Sequence, residues 1–460
     1  MSGLTLAEKI LSRAAGRDAR AGELVIVPVS RVMVHDSVID AVIAGMRALG
    51  KERVWDVDRV CVFVDHAAPA PTPVVADSHR VLREWVRTQG VSAFYDAGEG
   101  VCHQIMVEDG YCEPGAVIVG SDSHSNSYGA VGAFGAGMGA TDIAVALALG
   151  RTWLRVPEAI KVEFAGRLRP GVTWKDAITK VVGTIGTDGA RYACIEFHGV
   201  GDLPQGDRIT LAGMTTEMGA KAGIVADTPE APTWLHADRD ARYARVVRVD
   251  LDTLEPQIAV PPRVDQVVDV STVAGTPVDI VFLGSCTNGR VADMRQVVEL
   301  LRGRRIASDV RLEVVPASRR QFEDALADGT IAALSRAGAV VGASGCGPCL
   351  GRQGGVLAGA EVCLSTANRN YKGRMGSPDA SIYIGSPYVA AVAALTGVID
   401  DPRPFLEADD ATFDRLIAAR RGDRPASGAA SARAGDRARE LAGAVPIRIA
   451  PQIFGIEDED

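Results

Sequence analysis

Three of the eight cysteines stand where they could do chemistry. Cys346-Gly347-Pro348-Cys349 is a C-x-x-C pair, and Cys286 lies upstream in Gly284-Ser285-Cys286-Thr287-Asn288-Gly289. Thiolates are soft ligands suited to zinc or to iron–sulfur clusters. The C-x-x-C spacing lets two sulfurs face one centre, and Gly345, Gly347 and Gly351 let the backbone bend around it. Several readings compete. Any one buried thiol can simply be a small hydrophobe, as Cys61, Cys102, Cys112 and Cys194 are read here. Structural zinc needs four closed ligands. The available fourth, Cys363, lies in the strand-like Val362-Cys363-Leu364 and reads as packing. A thioredoxin-type pair leaves Cys286 unexplained. Three thiolates without a fourth leave one iron of a four-iron cluster open, as a Lewis-acid catalyst needs.

Histidines and carboxylates form a second set. Val62-Phe63-Val64 runs into Asp65-His66, and Val117-Ile118-Val119 runs into Gly120-Ser121-Asp122-Ser123-His124. Ile280-Val281-Phe282-Leu283 runs into the Cys286 segment in the same way. Ligands of open α/β sheets bind at the carboxyl ends of strands, so three such endings predict one shared site. A lone histidine is more often a satisfied core or surface residue. Here the Asp neighbours and strand-end placement favour function. His79, His198 and His236 lack that context and read as structural.

The elements that position these groups are legible as alternating patterns. Apolar runs at Leu24–Val29, Val60–Val64, Ala116–Val119, Ile160–Phe164, Ile280–Leu283, Leu312–Val315, Ala339–Val341 and Ile382–Ile384 predict strands. Helical patterns at Val81–Arg87, Ala144–Leu149 and Ala292–Leu301 lie among them. The alternation predicts an α/β protein with largely parallel sheets. Thr5-Leu6-Ala7-Glu8 reads as a capping box opening a helix that stops near Gly16. A chain of 460 residues has room for about two to four domains. Breaks are expected near Arg155-Val156-Pro157 and Val260-Pro261-Pro262. The stretch from about Arg420 to Glu440, rich in Arg, Ala, Gly and Ser, reads as a linker or weakly structured tail before a solvated acidic end, Glu457 to Asp460.

Composition limits the function classes. The net charge of −9 argues against nucleic-acid binding, which needs a basic face. No apolar run reaches the ~18 residues of a membrane helix, and Glu8, Lys9 and Arg13 interrupt any secretory core. A cytoplasmic protein with reduced cysteines is expected. Gly132, Gly135, Gly137 and Gly139 lack the G-x-G-x-x-G spacing of a dinucleotide loop, so a nucleotide oxidoreductase fits poorly. The remaining rivals are RNA binding by a cluster-free form, which the acidic charge disfavours, and a zinc-stabilised scaffold.

Together the cysteine segments resemble the two cysteine signatures of the aconitase superfamily. Asp65-His66, Asp122-Ser123-His124 and Asn368-Arg369-Asn370-Tyr371-Lys372-Gly373-Arg374 are similar to its further signatures, in the same order, and the resemblance spans roughly residues 5 to 400. Within the superfamily the chain resembles the large subunits of 3-isopropylmalate dehydratases, in the shorter archaeal-type form that includes homoaconitases. Arg31-Val32-Met33-Val34-His35-Asp36 supports this, with His35 where aconitases proper have Gln.

The resemblance implies three α/β domains around a central cluster, at 1–154, 155–274 and 275–403, then a low-complexity extension at 404–460. The swivelling fourth domain is expected on a separate small subunit, in a heterodimer or heterotetramer. A hydro-lyase that isomerises a 2-substituted malate by dehydration and rehydration is implied, with 2-isopropylmalate to 3-isopropylmalate in leucine biosynthesis as the first reading. A homoaconitase-like or other alkylmalate dehydratase, including one from secondary metabolism, is the alternative. Cys286, Cys346 and Cys349 would hold one [4Fe-4S] cluster with an open iron. Asp65 with His66, Asp122 with His103, and Glu217 with His124 would be the catalytic pairs, His66 being the proton donor. His35, Ser123, Asn368, Arg369 and Arg374 would bind substrate. The base, a serine of the family's swivelling domain, has no counterpart here. The chain departs from the family at Gly213-Met214, where Asn-Met is usual, at Ser125-Asn126-Ser127-Tyr128, where a Thr-rich version is usual, and in its aconitase-like Cys-Gly-Pro-Cys.

Overall fold

The computed structural model describes residues 3–422. Its first sheet is fully parallel, in the order Ala93–Tyr95, Val60–Phe63, Arg31–His35, Val117–Gly120, Phe134–Gly137. All four residues of Val60–Phe63 and of Val117–Gly120 are buried. A parallel sheet covered on both faces requires continuous apolar runs of this kind. An antiparallel ribbon of Leu24–Pro28 and Arg151–Arg155 flanks it. The expected N-terminal helix runs Leu6–Ala15 with the Thr5–Glu8 capping box formed, and Gly16 ends it in the left-handed region.

A second sheet has four parallel strands, Ala222–Val225, Cys194–His198, Ala159–Ala165 and Arg245–Asp250. The helices Trp174–Ile185 and Gln205–Met214 bury their apolar faces in its core. Of its strands only Ile160–Phe164 was marked by its apolar run.

The third sheet has seven strands. Ser381–Ile384, Val362–Ser365, Ile280–Leu283, Arg311–Val314 and Val340–Val341 are mutually parallel. Gln257–Ala259 and Val267–Asp269 complete it antiparallel, Ala259 pairing with Ile384. These two short strands fall before the break expected at 274, so pairing carries the third sheet back across that boundary. Their few residues leave no apolar run to announce them.

The extension expected from 404 begins differently. The helices Arg403–Glu407 and Asp410–Gly422 pack onto the third core through buried Phe405 and Phe413, whose rings meet edge-to-face at 5.7 Å. Their sparse aromatic anchors are masked in sequence by the charges around them. Residues 423–460, with most of the expected linker and the acidic end, lie outside the described residues. Among the described residues no helix is long and apolar enough to cross a membrane.

Candidate active site

The carboxyl ends of strands from the first and third sheets meet at one cavity of about 80 Å³. Its wall contains His66, His103, Asp122, His124, Asn368, Arg369 and Arg374 together with the thiols of Cys286, Cys346 and Cys349. A larger cavity of about 570 Å³ beside Thr5, Glu8 and Tyr243 has neither thiol nor histidine in its wall. The chemistry therefore belongs to the smaller one.

Each expected carboxylate reaches its histidine. His66 Nδ1–H donates to Asp65 Oδ1 at 2.7 Å, His103 Nε2–H to Asp122 Oδ1 at 2.7 Å, and His124 Nε2–H to Glu217 Oε1 at 2.7 Å. Asp65 and Glu217 lie behind their partners, away from the cavity wall. Asp65 is itself tied down, accepting the Cys102 amide on Oδ2 at 2.7 Å and the Cys346 amide on its carbonyl at 3.0 Å. Asp122 sits between three imidazoles, with His66 Nε2 3.3 Å from its Oδ2. Burial alone would raise the pKa of Asp122. Hydrogen bonds from His103, His124 and His66 outweigh it and hold the carboxyl well below its ordinary range. Burial also opposes charge on His66, but the Asp65 charge, Cys346 and Asp122 carry its pKa well above the ordinary value. Glu217 is likewise held low against burial by Arg369 and His124.

His35 takes a different place. Its Nδ1 accepts the Ser37 amide at 3.3 Å, which leaves Nε2–H to donate to the Ser121 carbonyl at 3.3 Å. Its ring stacks on His66 with centroids 4.0 Å apart. Burial, then the neighbouring His66, lowers its pKa to about 4. His35 is therefore a neutral plate behind His66, with both ring nitrogens engaged by backbone.

The arginines come from the loop after Val362–Ser365. Arg369 Nε–H donates to both oxygens of Glu217 at 3.1 and 3.0 Å, and its Nη2 donates to Ser123 Oγ at 3.0 Å. Arg374 donates from Nη2 to Cys349 Sγ at 3.6 Å and from Nη1 to Tyr371 Oη at 3.3 Å, while its buried Nε lacks a partner. Asn368 Nδ2–H donates to Cys286 Sγ at 3.0 Å. Both sulfurs thus accept a side-chain N–H; for Cys286, burial nevertheless pushes the thiol up to about 12 against the Asn368 hydrogen bond.

The loops pass through left-handed backbone at a serine as well as at a glycine. Ser285 adopts φ +79. Gly347 adopts φ +57, and a Cβ there would lie only 2.8 Å from Val315 Cγ2. Cys363 is buried within its strand, and the other four cysteines are buried too. Among the described residues, the groups near enough to share one ion are His35–His66–Asp122, Asp65–His66–Cys346 and His103–Asp122–His124. Among the described residues the three cysteines do not form such a group.

The aconitase family (aconitate hydratase) matches residues 8–236 and 271–397. This chain belongs to the aconitase family. It is 52% identical over 414 residues to the homoaconitase large subunit of Thermus thermophilus, covering 88% of this chain and 99% of that one. It is 50% identical over 415 residues to the 3-isopropylmalate dehydratase large subunit of Herpetosiphon aurantiacus, covering 89% and 99%. It is 49% identical over 407 residues to 3-isopropylmalate dehydratase large subunit 1 of Deinococcus radiodurans, covering 86% and 93%.

Other site residues of this aconitase-family chain were not visible in sequence. Asp36 is buried and accepts the amides of Asp65, His66 and Ala67 at 3.3, 3.0 and 3.0 Å, and His79 Nε2–H at 3.1 Å. It fixes the turn that presents His66, and it gives His79 a partner. Its place directly after His35 was the available signal. Arg290 is also buried. It donates to Gln104 Oε1 at 2.9 Å, Thr210 Oγ1 at 3.3 Å, the Thr287 carbonyl at 3.0 Å and the Cys286 carbonyl at 2.8 Å. One side chain thus joins the His103 helix, the Gln205–Met214 helix and the Cys286 loop. At Gly213 a Cβ would lie 2.7 Å from Ser127 Oγ, so two of the three departures from the family pattern are neighbours in space. His236 pairs with Asp227 at 2.6 Å on the surface, and His198 meets Tyr243 at 3.2 Å.

Proposed function

We propose that this chain is the large, cluster-binding subunit of a hydro-lyase that converts 2-isopropylmalate to 3-isopropylmalate by dehydration and rehydration, in leucine biosynthesis. The observation that carries the reading is the convergence of three thiols, three histidine–carboxylate pairs and two arginines on one cavity. Relatives named as large subunits of 3-isopropylmalate dehydratases support the substrate class and a separate small subunit. The unpaired state of the described cysteines suits a reducing compartment such as the cytoplasm. The three domains proposed, 1–154, 155–274 and 275–403, each correspond broadly to one main sheet, with the third reaching back to Gln257.

The donor set fits a [4Fe-4S] cluster. Cys286, Cys346 and Cys349 would hold it, Asn368 and Arg374 donating to two of the sulfurs. When bound, the cluster supplies a Lewis-acidic open iron that polarises the substrate hydroxyl.

The chain's own residues supply orientation and a proton. Arg369 and Arg374 grip substrate carboxylates, because a guanidinium fork matches a carboxylate. Asn368 and Ser123 hold neighbouring groups in register. His66, kept protonated by Asp65, delivers the Nε2 proton to the leaving hydroxyl, which departs as water. The carbon-bound proton goes to a base on the small subunit. Rehydration runs these steps in reverse with the two carbons exchanged: water adds at the adjacent carbon and gives a proton back to His66, while the base returns a proton to the carbon that lost the hydroxyl. Asp122, held as an anion, orients His103 and His124.

A homoaconitase-type activity is the second reading, favoured by the 52% identity to a homoaconitase large subunit. Anaerobic reconstitution with iron and sulfide, small subunit added, tests both. Hydration and dehydration of isopropylmalates supports the first reading. Turnover of a tricarboxylate instead supports the second. Stoichiometric zinc in place of iron overturns the enzyme reading in favour of a scaffold.

A further inference from the structure

Lys175, in the first turn of the helix Trp174–Ile185, is 2% exposed. Its ammonium donates to Thr287 Oγ1 at 2.9 Å, to the Thr366 carbonyl at 2.8 Å and to the Ala367 carbonyl at 3.0 Å, with Met214 Sδ at 3.9 Å. Every bonded partner is neutral. A buried ammonium without a carboxylate is costly, and proteins ordinarily pair or neutralise it. Burial lowers its pKa to about 8, against the pull of negative charge on Cys286, Asp293, Cys349 and Glu217.

The bonds to oxygen fall on two loops. Thr287 follows Cys286 directly, and Thr366 and Ala367 directly precede Asn368 and Arg369. Thr287 Oγ1 also donates to Asn368 Oδ1, which joins the two loops to each other. Asn368 in turn donates to Cys286 Sγ. The ammonium therefore lies behind the thiol pocket, fixed by dipoles that satisfy its hydrogens without cancelling its charge.

We propose that Lys175 is a positioning residue and the fixed counter-charge of the thiolate site, a role that rests on the cluster reading above. Three ligated thiolates bring negative charge into a largely buried pocket. A cation held nearby by neutral oxygens favours that charge, and favours the reduced cluster over the oxidised one. Arg290 also braces the Cys286 loop, through the Cys286 and Thr287 carbonyls.

The test compares the full-length chain, Lys175→Met and Lys175→Arg after anaerobic loading with iron and sulfide. Iron per chain is counted, and the one-electron reduction of the cluster is followed by EPR against applied potential. Lys175→Met is expected to hold wild-type iron while its potential falls by about 59 mV, the equivalent of a tenfold change in a one-electron equilibrium. Lys175→Arg, which keeps the charge, is expected to stay at the wild-type potential. A loaded Lys175→Met that titrates with the wild type overturns the role of Lys175 alone. Wild-type protein that takes up no iron overturns the cluster reading and this one with it. If Lys175→Met is unfolded by circular dichroism, Lys175→Arg decides. A folded, loaded arginine variant at the wild-type potential supports the counter-charge, and a displaced potential or an unfolded arginine variant overturns it in favour of a purely structural lysine.

Discussion

Asp65 Oδ1 lies 2.7 Å from His66 Nδ1, so the imidazole presents Nε2 to the cavity and to Asp122 Oδ2 at 3.3 Å. The carboxylate fixes both the orientation of the ring and its charge. Asp65→Asn keeps the shape and removes the charge. We expect kcat to fall about 100-fold, the usual scale for losing a poised general acid. With His66 no longer raised by Asp65, the loss of activity on the alkaline side begins at lower pH. A pH–rate profile of the reconstituted enzyme checks both, and an unmoved alkaline limb would exclude His66 as the proton donor.

Arg369 is held by Glu217 and Ser123 before any substrate arrives. Lysine cannot make the Nε and Nη contacts together. Arg369→Lys is expected to lower kcat/KM about 10- to 100-fold, the cost of a charged hydrogen bond. Most of the loss is expected in KM. Steady-state kinetics with the natural substrate decide it; a pure kcat effect would place Arg369 outside carboxylate binding.

His35 couples stability to acid. Its folded pKa of about 4 lies below its ordinary 6.5. The unfolded chain therefore binds the extra proton first, so stability is fully present above pH 6.5 and is lost as pH falls through 4. The shift corresponds to about 3 kcal/mol. His35→Gln is expected to flatten the fall in unfolding free energy between pH 7 and pH 4.5 relative to wild type. Denaturant titrations of both chains at the two pH values measure the difference.

Arg290 satisfies Gln104 Oε1 and two backbone carbonyls of the cysteine loop while buried. Arg290→Met leaves Gln104 Oε1 and the Cys286 carbonyl without their donor, while the Thr287 carbonyl keeps Thr210 Oγ1 at 2.6 Å. We expect destabilisation of about 3 kcal/mol, and weaker iron retention because the Cys286 loop loses its brace. Chemical denaturation of the metal-free chain separates the first effect from the second; unchanged stability would refute the brace.

Much of this molecule is readable from its sequence because the informative residues are local. Buried parallel strands such as Val60–Phe63 and Ile280–Leu283 must be apolar on both faces, so their runs stand out. The capping box at Thr5–Glu8 and the stop at Gly16 are decided within one turn of chain. The thiols, the Asp–His dipeptide and the arginine segment announce soft-ligand and carboxylate chemistry by type and spacing alone.

What only the tertiary structure decided depends on long-range pairing. Gln257–Ala259 joins the third sheet by a single antiparallel contact with a strand more than a hundred residues later, and nothing within its three residues signals that. His35 reads as a candidate ligand for substrate until Ser37 and Ser121 engage its two nitrogens and His66 covers its face. Lys175, Arg290 and Asp36 look like ordinary surface charges in the sequence. Burial changes their meaning, because a charge removed from water must be held by oriented dipoles or an opposite charge, and the groups that hold these three come from chain segments that only folding brings together.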